Sequence, residues 1–425
     1  MKHSIFWFRR DLRLTDNVGL SQALDSGLPI QAIFIFDNQI LDELDADDPR
    51  VNFIYDELAK INALLKKQGS CLKIYKGRPQ EVWGEILDNE EVAQIFLNKD
   101  YEPYAIKRDR QIEELALSKG VQFKAFKDQV IFEESEVVKD DGSPYTVFTP
   151  FMKKWLKKVK KSDFKPVSFK KRHFLPNKSH FSSKHELGIK PSKIKVLDFN
   201  LQQIVNYKAQ RDFPTIATTN LSPHLRFGTV GIRELFNRIE EEHTTFISEL
   251  IWREFFMQIL FHFPNSVSDN FKSKYDGIQW RNNEDEFESW CKGETGYPMV
   301  DAGMRQLNET GYMHNRVRMV VASFLIKHLL IDWRWGEAYF AKKLLDFELS
   351  SNVGNWQWAA GTGCDSAPYF RIFNPHEQLK KFDPKLEYVR KWVPEVDELT
   401  YVHPIVDHKF ARERCLKVYK EGISS

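Results

Sequence analysis

Short apolar runs alternate with amphipathic stretches over the first 130 residues, and this alternation limits the possible folds more than any other feature of the chain. The apolar runs, each long enough for one buried strand, lie at 5–8, 30–36, 72–75 and 93–97. The amphipathic stretches between them, which have helical periodicity, lie at 49–68, 79–88 and 103–119. Strands that alternate with helices predict a doubly wound parallel sheet, so we assign residues 1–130 to an α/β domain.

The chain changes character after residue 130. Residues 131–205 contain a turn at Asp140–Pro144 and a basic stretch interrupted by prolines, and we interpret them as a connector that crosses a surface. Residues 151–200 hold 15 Lys and Arg against 3 Asp and Glu, although the whole chain has a formal charge of only +2. A solvated linker and a contact with a polyanion both remain open for this stretch. From residue 206 to 425 the periodicity is helical, which predicts an all-helical domain.

Composition excludes several classes of protein. No apolar run reaches the roughly 18 residues of a membrane span, and the N-terminus lacks the pattern of a secretory signal. Cys71, Cys291, Cys364 and Cys415 are scattered without the spacing of a disulfide framework or a zinc site, so we expect no metal and a reducing cytoplasm.

Two helical segments carry residues that an ordinary core would not contain. Ser222 followed by Pro223 is typical of a helix start, where hydroxyls and free amides can hold a phosphate or only cap the helix. Glu249, Trp252 and Arg253 share one helix face, which fits either a ligand site or an internal ion pair beside a packed tryptophan.

Further polar groups lead or interrupt apolar helices. Asn315, Arg318 and Met319 begin an apolar segment, and we interpret 313–333 as one long helix. In the run at 352–365, Trp356 and Trp358 point about 200° apart on a helix and should meet different neighbours. No nucleophile–base set or metal-ligand spacing accompanies them, so an enzyme with this sequence needs a bound, conjugated cofactor.

Motifs along nearly the whole chain resemble the DNA photolyase/cryptochrome family. They are FWFRRDLR at 6–13, YTVFTPF at 145–151, LIWREF at 250–255, TGYP at 295–298, MHNRVRM at 313–319, NWQWAAGTGCD at 355–365 and APYFRIFNP at 367–375. The resemblance implies an N-terminal α/β antenna domain and a C-terminal helical domain that holds FAD. It also implies that light drives an electron from reduced FAD into a pyrimidine dimer in DNA, which then splits.

The resemblance assigns roles to individual residues. Those implied to bind FAD are Tyr207, Thr218, Thr219, Asn220, Leu221, Ser222, Glu249, Arg253, Tyr312, Arg318, Asp346, Phe347, Glu348 and Asn352. Within this set, Asn352 would sit at the redox-active nitrogen of the flavin and Arg318 would pair with Asp346. The residues implied to relay electrons to photoexcited flavin are Trp356, Trp333 and Trp280. Those implied to line the lesion pocket are Glu249, Trp252, Asn315, Met319 and Trp358.

The string that ends at Met319 is most similar to class I photolyases that repair cyclobutane pyrimidine dimers (CPDs). The alternatives are a signalling cryptochrome that repairs nothing and a (6-4) photolyase. The implied partner is damaged DNA and no membrane, and we expect a cytoplasmic monomer. A second antenna chromophore is left open as a folate, a deazaflavin or a flavin.

Overall fold

A five-stranded parallel sheet organises the first part of the chain. The computed structural model describes residues 2–168 and 173–424. Its strands are β1 (His3–Phe8), β2 (Ile30–Asp37), β3 (Leu72–Gly77), β4 (Val92–Asn98) and β5 (Gln122–Phe126). Their order is β3-β2-β1-β4-β5, and Phe6 of the central strand lies opposite Ala32 and Phe96. The predicted doubly wound sheet is confirmed, and β5 is an additional strand that the apolar runs did not indicate.

Helices cover both faces of this sheet. They are α1 (Val18–Leu24), α2 (Asn38–Leu41), α3 (Pro49–Lys66), α4 (Pro79–Asn89) and α5 (Pro103–Ser118). A proline begins α3, α4 and α5, because its fixed φ suits the first helical turn, where an N–H has no partner to lose. Phe6 and Phe8 enter one apolar core, whereas Ile5 and Trp7 enter another, so the side chains of β1 alternate between two buried faces.

The segment 131–205 contains little regular structure where it is described, at 131–168 and 173–205. Its elements there are the helix α6 (Phe148–Lys158) and two 3₁₀ turns, Lys161–Phe164 and Leu201–Ile204. The Ile30 amide donates to the His173 carbonyl at 2.9 Å, and Phe174 is buried in the core beside β2. This part of the segment therefore packs along the sheet.

The remaining chain is helical, as predicted. Its helices are α7 (Tyr207–Gln210), α8 (Ser222–Phe227), α9 (Ile232–Arg238), α10 (Thr244–His262), α11 (Glu284–Lys292), α12 (Pro298–Thr310), α13 (Asn315–Ser323), α14 (Trp333–Lys343), α15 (Leu349–Ala360), α16 (Pro375–Phe382), α17 (Glu387–Trp392) and α18 (His408–Ser424). Short 3₁₀ turns lie at Pro264–Val267, Ser273–Tyr275 and Pro394–Asp397.

The prediction of a single helix over 313–333 is wrong. Helix α13 ends at Ser323 and continues as a π-helical turn, Phe324–His328. Leu330 then adopts a φ of 53°, which is left-handed backbone that no α-helix can include. The next helix begins at Trp333, where Asp332 accepts a hydrogen bond from the Arg334 amide and caps it.

The described residues pack as two units, each assembled from three stretches of chain. The first unit is Met1–Val138, Lys154–Asp198 and Leu221–Glu242, and the second is Lys139–Lys153, Phe199–Asn220 and His243–Ser425. Helices α8 and α9 belong to the first unit, in which Arg233 forms ion pairs with Asp16 and Asp128. Each unit is thus made of separate stretches of chain, whereas the predicted domains 1–130, 131–205 and 206–425 are each continuous in sequence. These domain bounds stay a prediction.

The structure bears on two features that the composition addressed, membrane spans and metal sites. Within residues 2–168 and 173–424, no helix has the length and apolar character to cross a membrane. Over the same residues, no group of three His, Cys, Asp or Glu side chains is placed to hold a metal ion. The four cysteines are free thiols.

Candidate functional site

A cavity in the helical unit gathers most of the predicted site residues that lie beyond residue 313. Helices α13 and α15, Phe340 of α14 and the segment between α14 and α15 line it. The lining residues are Asn315, Arg318, Met319, Ala322, Phe340, Leu344, Asp346, Phe347, Glu348, Ser351, Asn352, Asn355, Trp356, Trp358 and Ala359. Two motifs more than 30 residues apart in the sequence therefore border one pocket.

An ion pair fixes one wall of this pocket. The Arg318 guanidinium donates to both carboxylate oxygens of Asp346, at 2.9 and 3.2 Å, and its Nε donates to the Met313 carbonyl at 2.8 Å. The predicted pairing of Arg318 with Asp346 is thereby confirmed. Because the carboxylate is largely buried, this charge-assisted contact holds the guanidinium in one orientation beside the cavity.

Asn352 and Glu348 place further polar groups at the cavity. The Asn352 amide nitrogen donates to a Glu337 carboxylate oxygen at 2.8 Å and to the Glu337 carbonyl at 3.1 Å. Burial raises the pKa of Glu337, and the hydrogen bond from Asn352 opposes that rise. The buried Glu348 carboxylate accepts from the hydroxyls of Ser350 at 2.6 Å and Ser351 at 3.0 Å.

The two tryptophans of α15 differ in their surroundings although both border the cavity. Trp356 is 2% exposed and meets Phe340 edge-on, with ring centres 5.0 Å apart. It also contacts the ring of Trp290 at 6.3 Å. Trp358 is only partly buried at the edge of the same apolar core. The two side chains have different neighbours, as their predicted directions on the helix implied. The sequence did not predict that both would border one cavity.

Glu249 lies in a second cluster, which the cavity lining does not include. Its carboxylate accepts from the Arg211 guanidinium at 2.6 Å, and that guanidinium lies 5.4 Å from the centre of the Tyr207 ring. Burial and the charge of Glu249 raise the pKa of Tyr207 to about 12. The internal ion pair considered for Glu249 is therefore present, but its partner is Arg211 of the preceding segment. Arg253 lies one helical turn further along α10 and is half-buried.

Trp252 packs against the motif at 145–151. Its ring stacks on Phe148 with centres 3.7 Å apart and planes 11° apart, and Phe256 tilts against it at 5.3 Å. The Phe148 amide donates to Asp365 at 2.9 Å. One face of Trp252 is thus covered by the chain itself, and the prediction that this residue meets a lesion stays a prediction.

The helix start at 218–222 differs from the Ser222 cap that the sequence predicts. Ser222 is the first residue of α8, Leu221 holds the cap position, and no side chain closes the helix start. Thr218 is exposed, whereas Thr219 is buried and its carbonyl accepts from the Asn200 amide at 2.9 Å. Asn220 has a φ of 52°, the left-handed region that asparagine tolerates better than most residues. Leu221 and Ser222 belong to the first unit and the preceding residues to the second.

The remaining predicted residues lie away from the cavity lining. Tyr312 stands between α12 and α13, where its amide donates to the Thr310 hydroxyl at 3.1 Å. Trp333 is fully buried, and its indole N–H donates to Asn270 at 2.9 Å. Trp280 is half-buried and packs against both the main helical core and a smaller core beside α18.

Several residues that shape the site escaped the sequence reasoning. Arg211 neutralises Glu249, Glu337 binds Asn352, and Phe148 covers Trp252. Each partner lies far from its target in sequence, so helical spacing could not pair them. An unexplained acidic residue inside the apolar face of α14 was the one signal that could have drawn attention to Glu337.

Comparison with known proteins gives the class of this fold. Solved structures that superpose on it include a class III photolyase from Agrobacterium tumefaciens, with a TM-score of 0.87, 33% identity and coverage of 100% of this chain and 98% of that one. They also include an archaeal photolyase from Sulfolobus tokodaii with two FAD molecules, with a TM-score of 0.86, 35% identity and coverage of 99% and 100%. The α/β sheet unit followed by a helical unit is thus a photolyase architecture.

Sequence comparison gives the family. The DNA photolyase model matches residues 4–169, and the model for the FAD binding domain of DNA photolyase matches 246–400. A deoxyribodipyrimidine photo-lyase from Halobacterium salinarum is 36% identical over 98% of this chain and 99% of its own length. The chain belongs to the DNA photolyase family, and its cofactor is FAD.

The cavity has the chemistry that this cofactor needs. Trp356, Phe347 and Leu344 offer flat or apolar walls of the kind that pack against an aromatic ring system. Arg318 and Asn352 supply hydrogen-bonding groups that are already held in place by Asp346 and Glu337. The residues present therefore fit a flavin, because the pocket combines aromatic and apolar walls with polar groups that are held in fixed orientations.

Proposed function

We propose that this chain is a deoxyribodipyrimidine photo-lyase that repairs cyclobutane pyrimidine dimers in DNA under blue or near-ultraviolet light. The observation that carries the proposal is the cavity in which the Arg318–Asp346 pair, Asn352 and Trp356 lie together with Asn315 and Met319. Relatives of the same family, aligned over nearly the whole of this chain, have this activity by name. FAD, when bound and reduced, supplies the light-driven electron. The residues of this chain bind and orient the cofactor and the lesion, and they exclude water from the site.

In this proposal the FAD-binding residues form three groups. Arg318, Asp346, Phe347, Glu348 and Asn352 hold the flavin end, because they line the cavity. Tyr207, Glu249, Arg253 and Tyr312 complete the site from neighbouring helices and turns. The segment Thr218, Thr219, Asn220, Leu221 and Ser222 binds the ribose and phosphates through hydroxyls and backbone amides.

The lesion side of the site combines apolar and polar contacts. Trp358 and Met319 provide polarisable apolar surface for the pyrimidine rings, and Trp252 adds its uncovered edge. Asn315 is exposed at the start of α13 and can hydrogen-bond a base carbonyl. Glu249, already paired with Arg211, stabilises negative charge on the dimer through a hydrogen bond only if its carboxyl carries a proton.

A dimer reaches such a pocket by leaving the helical stack. Unstacking is least unfavourable for a damaged pair, so flipping itself selects the lesion. Contacts of basic side chains with phosphates then supply affinity without reading sequence. The enzyme acts as a cytoplasmic monomer in this proposal, and light scattering coupled to size-exclusion chromatography tests its mass.

The decisive experiment is repair of a single-lesion oligonucleotide by the chemically reduced, FAD-loaded protein. Blue light should restore the intact pyrimidines of a cyclobutane dimer, whereas the dark control and a (6-4) lesion should remain unchanged. Repair of the (6-4) lesion alone would establish that alternative. A protein that undergoes photoreduction but repairs neither lesion would be a cryptochrome, which is the other alternative.

The Sulfolobus tokodaii relative carries a second FAD as a light-harvesting cofactor. We infer that this chain also binds a second chromophore as an antenna, which is a folate, a deazaflavin or a flavin. An absorption spectrum before and after chromophore extraction distinguishes the three, and recovery of FAD alone in a stoichiometry of one would contradict the extension.

A further inference from the structure

The aromatic stack between Phe148 and Trp252 has no part in the proposed repair chemistry. The centres of the two rings lie 3.7 Å apart, and their planes are 11° apart. Phe148 is buried, so the face of Trp252 that it covers cannot also receive a pyrimidine ring. What the stack does provide is a fixed plane for the Trp252 ring, because parallel aromatic rings attract one another in a preferred geometry.

Phe148 is in turn attached to the segment that follows α15. Its backbone amide donates to the Asp365 carboxylate at 2.9 Å. That segment is folded back on the helix, because the Gly363 amide donates to the Gln357 carbonyl at 3.1 Å. Gln357 directly precedes Trp358, so short contacts connect Phe148 with the end of α15 that carries Trp358.

A second contact joins Trp252 to the same helix. The Phe256 ring tilts against the Trp252 ring, with centres 5.3 Å apart. Phe256 also packs directly on the backbone of α15, where a Cβ added at Gly354 would lie 2.3 Å from its ring. Gly354 and Trp358 lie one helical turn apart, on the same face of α15. Two routes therefore connect Trp252 with the helix that carries Trp358.

We propose that Phe148 is a positioning residue that holds Trp252 relative to Trp358 before a dimer arrives. The inference rests on the proposed function, in which these two tryptophans provide apolar surface for the pyrimidine rings. A tryptophan ring that is already immobilised loses little conformational freedom when the dimer binds, so more of the contact energy contributes to affinity. Phe148 acts through Trp252 and does not touch the dimer.

The first test compares two phenylalanines of helix α6. Phe148→Leu removes the aromatic plane that faces Trp252. Phe151→Leu is the matched control, because Phe151 is 1% exposed and its ring meets Tyr145 and Phe255 instead. Phe148 also meets Phe255, with ring centres 5.8 Å apart, so the two variants disturb the same core.

Affinities for dimer-containing and undamaged duplexes are measured at equal flavin content, together with the melting temperature of each protein. Phe148→Leu should bind the dimer about threefold to tenfold more weakly, which is the effect of leaving one side chain to be immobilised on binding, and should bind undamaged duplex as before. Phe148→Tyr, which keeps an aromatic plane, should retain the wild-type preference for the dimer. Phe151→Leu should lower the melting temperature without the selective loss. Equal losses of preference in the two leucine variants, or no loss in Phe148→Leu, would overturn the inference.

Asp365→Ala tests the same connection if Phe148→Leu fails to fold, because it removes the acceptor of the Phe148 amide and leaves the aromatic core intact. It should reduce the affinity for the dimer in the same selective way. Where both variants fold, their combination should lose less than the product of the two separate fold-losses, because both act on Trp252. A fully multiplicative loss, or an Asp365→Ala protein with the wild-type preference, contradicts the role of Phe148. A wild type that binds damaged and undamaged duplexes equally would instead contradict the proposed function.

Discussion

At the scale of single residues, the buried tryptophans of the helical unit should separate into relay and core. Trp356→Phe should strongly slow photoreduction of oxidised FAD, because Trp356 borders the cavity and Trp333 and Trp280 pass electrons through it in the predicted relay. Trp290→Phe is the matched control, since Trp290 contacts Trp356 within the same core but lies outside the proposed relay. Both variants should lose about 1–3 kcal/mol of stability.

The two variants are compared by the rate of flavin bleaching under blue light at equal flavin content. Repair by chemically reduced Trp356→Phe should persist, because that cycle needs no external electron. Equal photoreduction in the two variants would contradict the relay and leave three core tryptophans as the explanation.

Met319 gives a residue-scale test of the lesion side. Met319→Ala should weaken binding of a dimer-containing oligonucleotide by about 1–2 kcal/mol, because a buried apolar contact with the lesion is lost. Met304 is a suitable control, since it is fully buried in the core and lies outside the cavity lining. Met304→Ala should lower the melting temperature without this selective loss. Affinities for damaged and undamaged duplexes, with flavin content, distinguish the two effects.

Much of the site could be anticipated residue by residue, but its internal partners could not. The Arg318–Asp346 pair agrees with its prediction, because unusual polar residues in apolar helices require partners. Glu249 has a partner in Arg211, which lies 38 residues away, and helical spacing could not indicate it. Long-range pairs of this kind depend on packing angles that local periodicity does not contain.

At the scale of elements, strongly periodic segments were predictable and short or interrupted ones were not. β5 escaped because it is an edge strand whose residues are only partly buried or exposed, so it lacks an apolar run. The break after α13 escaped because Phe324, Leu325 and Ile326 continue the apolar pattern through a π turn. Hydrophobic periodicity indicates only which side chains are buried. Here the side chains stay buried although the backbone hydrogen bonds change from the α-helical to the π-helical register.

Close packing between helices supplies an element-scale prediction. A Cβ added at Gly336 of α14 would lie 2.1 Å from the Trp356 ring, so Gly336→Ala must displace the ring or separate α14 from α15. We expect a loss of about 1–3 kcal/mol and a shifted flavin spectrum. Gly84→Ala in α4 is the control, because a Cβ there meets nothing within 4 Å. It should be neutral or stabilising by up to about 1 kcal/mol.

Thermal unfolding and flavin absorption of the two alanine variants provide the measurements. A Gly336→Ala protein as stable as the wild type, with an unchanged flavin spectrum, would show that the ring of Trp356 can move freely. It would then not be the rigid wall that this geometry describes.

At the scale of the whole molecule, charge is distributed unevenly along a nearly neutral chain. The formal charge is +2, but residues 151–200 contain 15 of the 62 Lys and Arg and only 3 of the 60 Asp and Glu. Some of these cations are already engaged within the first unit. Lys158 donates to the Glu136 carbonyl at 2.5 Å and lies 5.4 Å from the centre of the Phe132 ring. Local excess charge alone therefore does not identify the DNA-binding surface.

The salt dependence of binding distinguishes this basic segment from the lesion site. Affinity for dimer-containing duplex should fall linearly on logarithmic axes, with a slope of about −0.9 for each phosphate contacted. If Lys157 and Lys158 contacted phosphates, reversing both charges would reduce the slope by about 1.8. We expect a change smaller than about 0.9, because Lys158 already binds Glu136 and the lesion residues lie on other helices. Titrations from low to moderate salt with wild type and the Lys157→Glu, Lys158→Glu double variant measure the difference. A full reduction would assign the segment to DNA, and a flat wild-type response would contradict DNA as the partner.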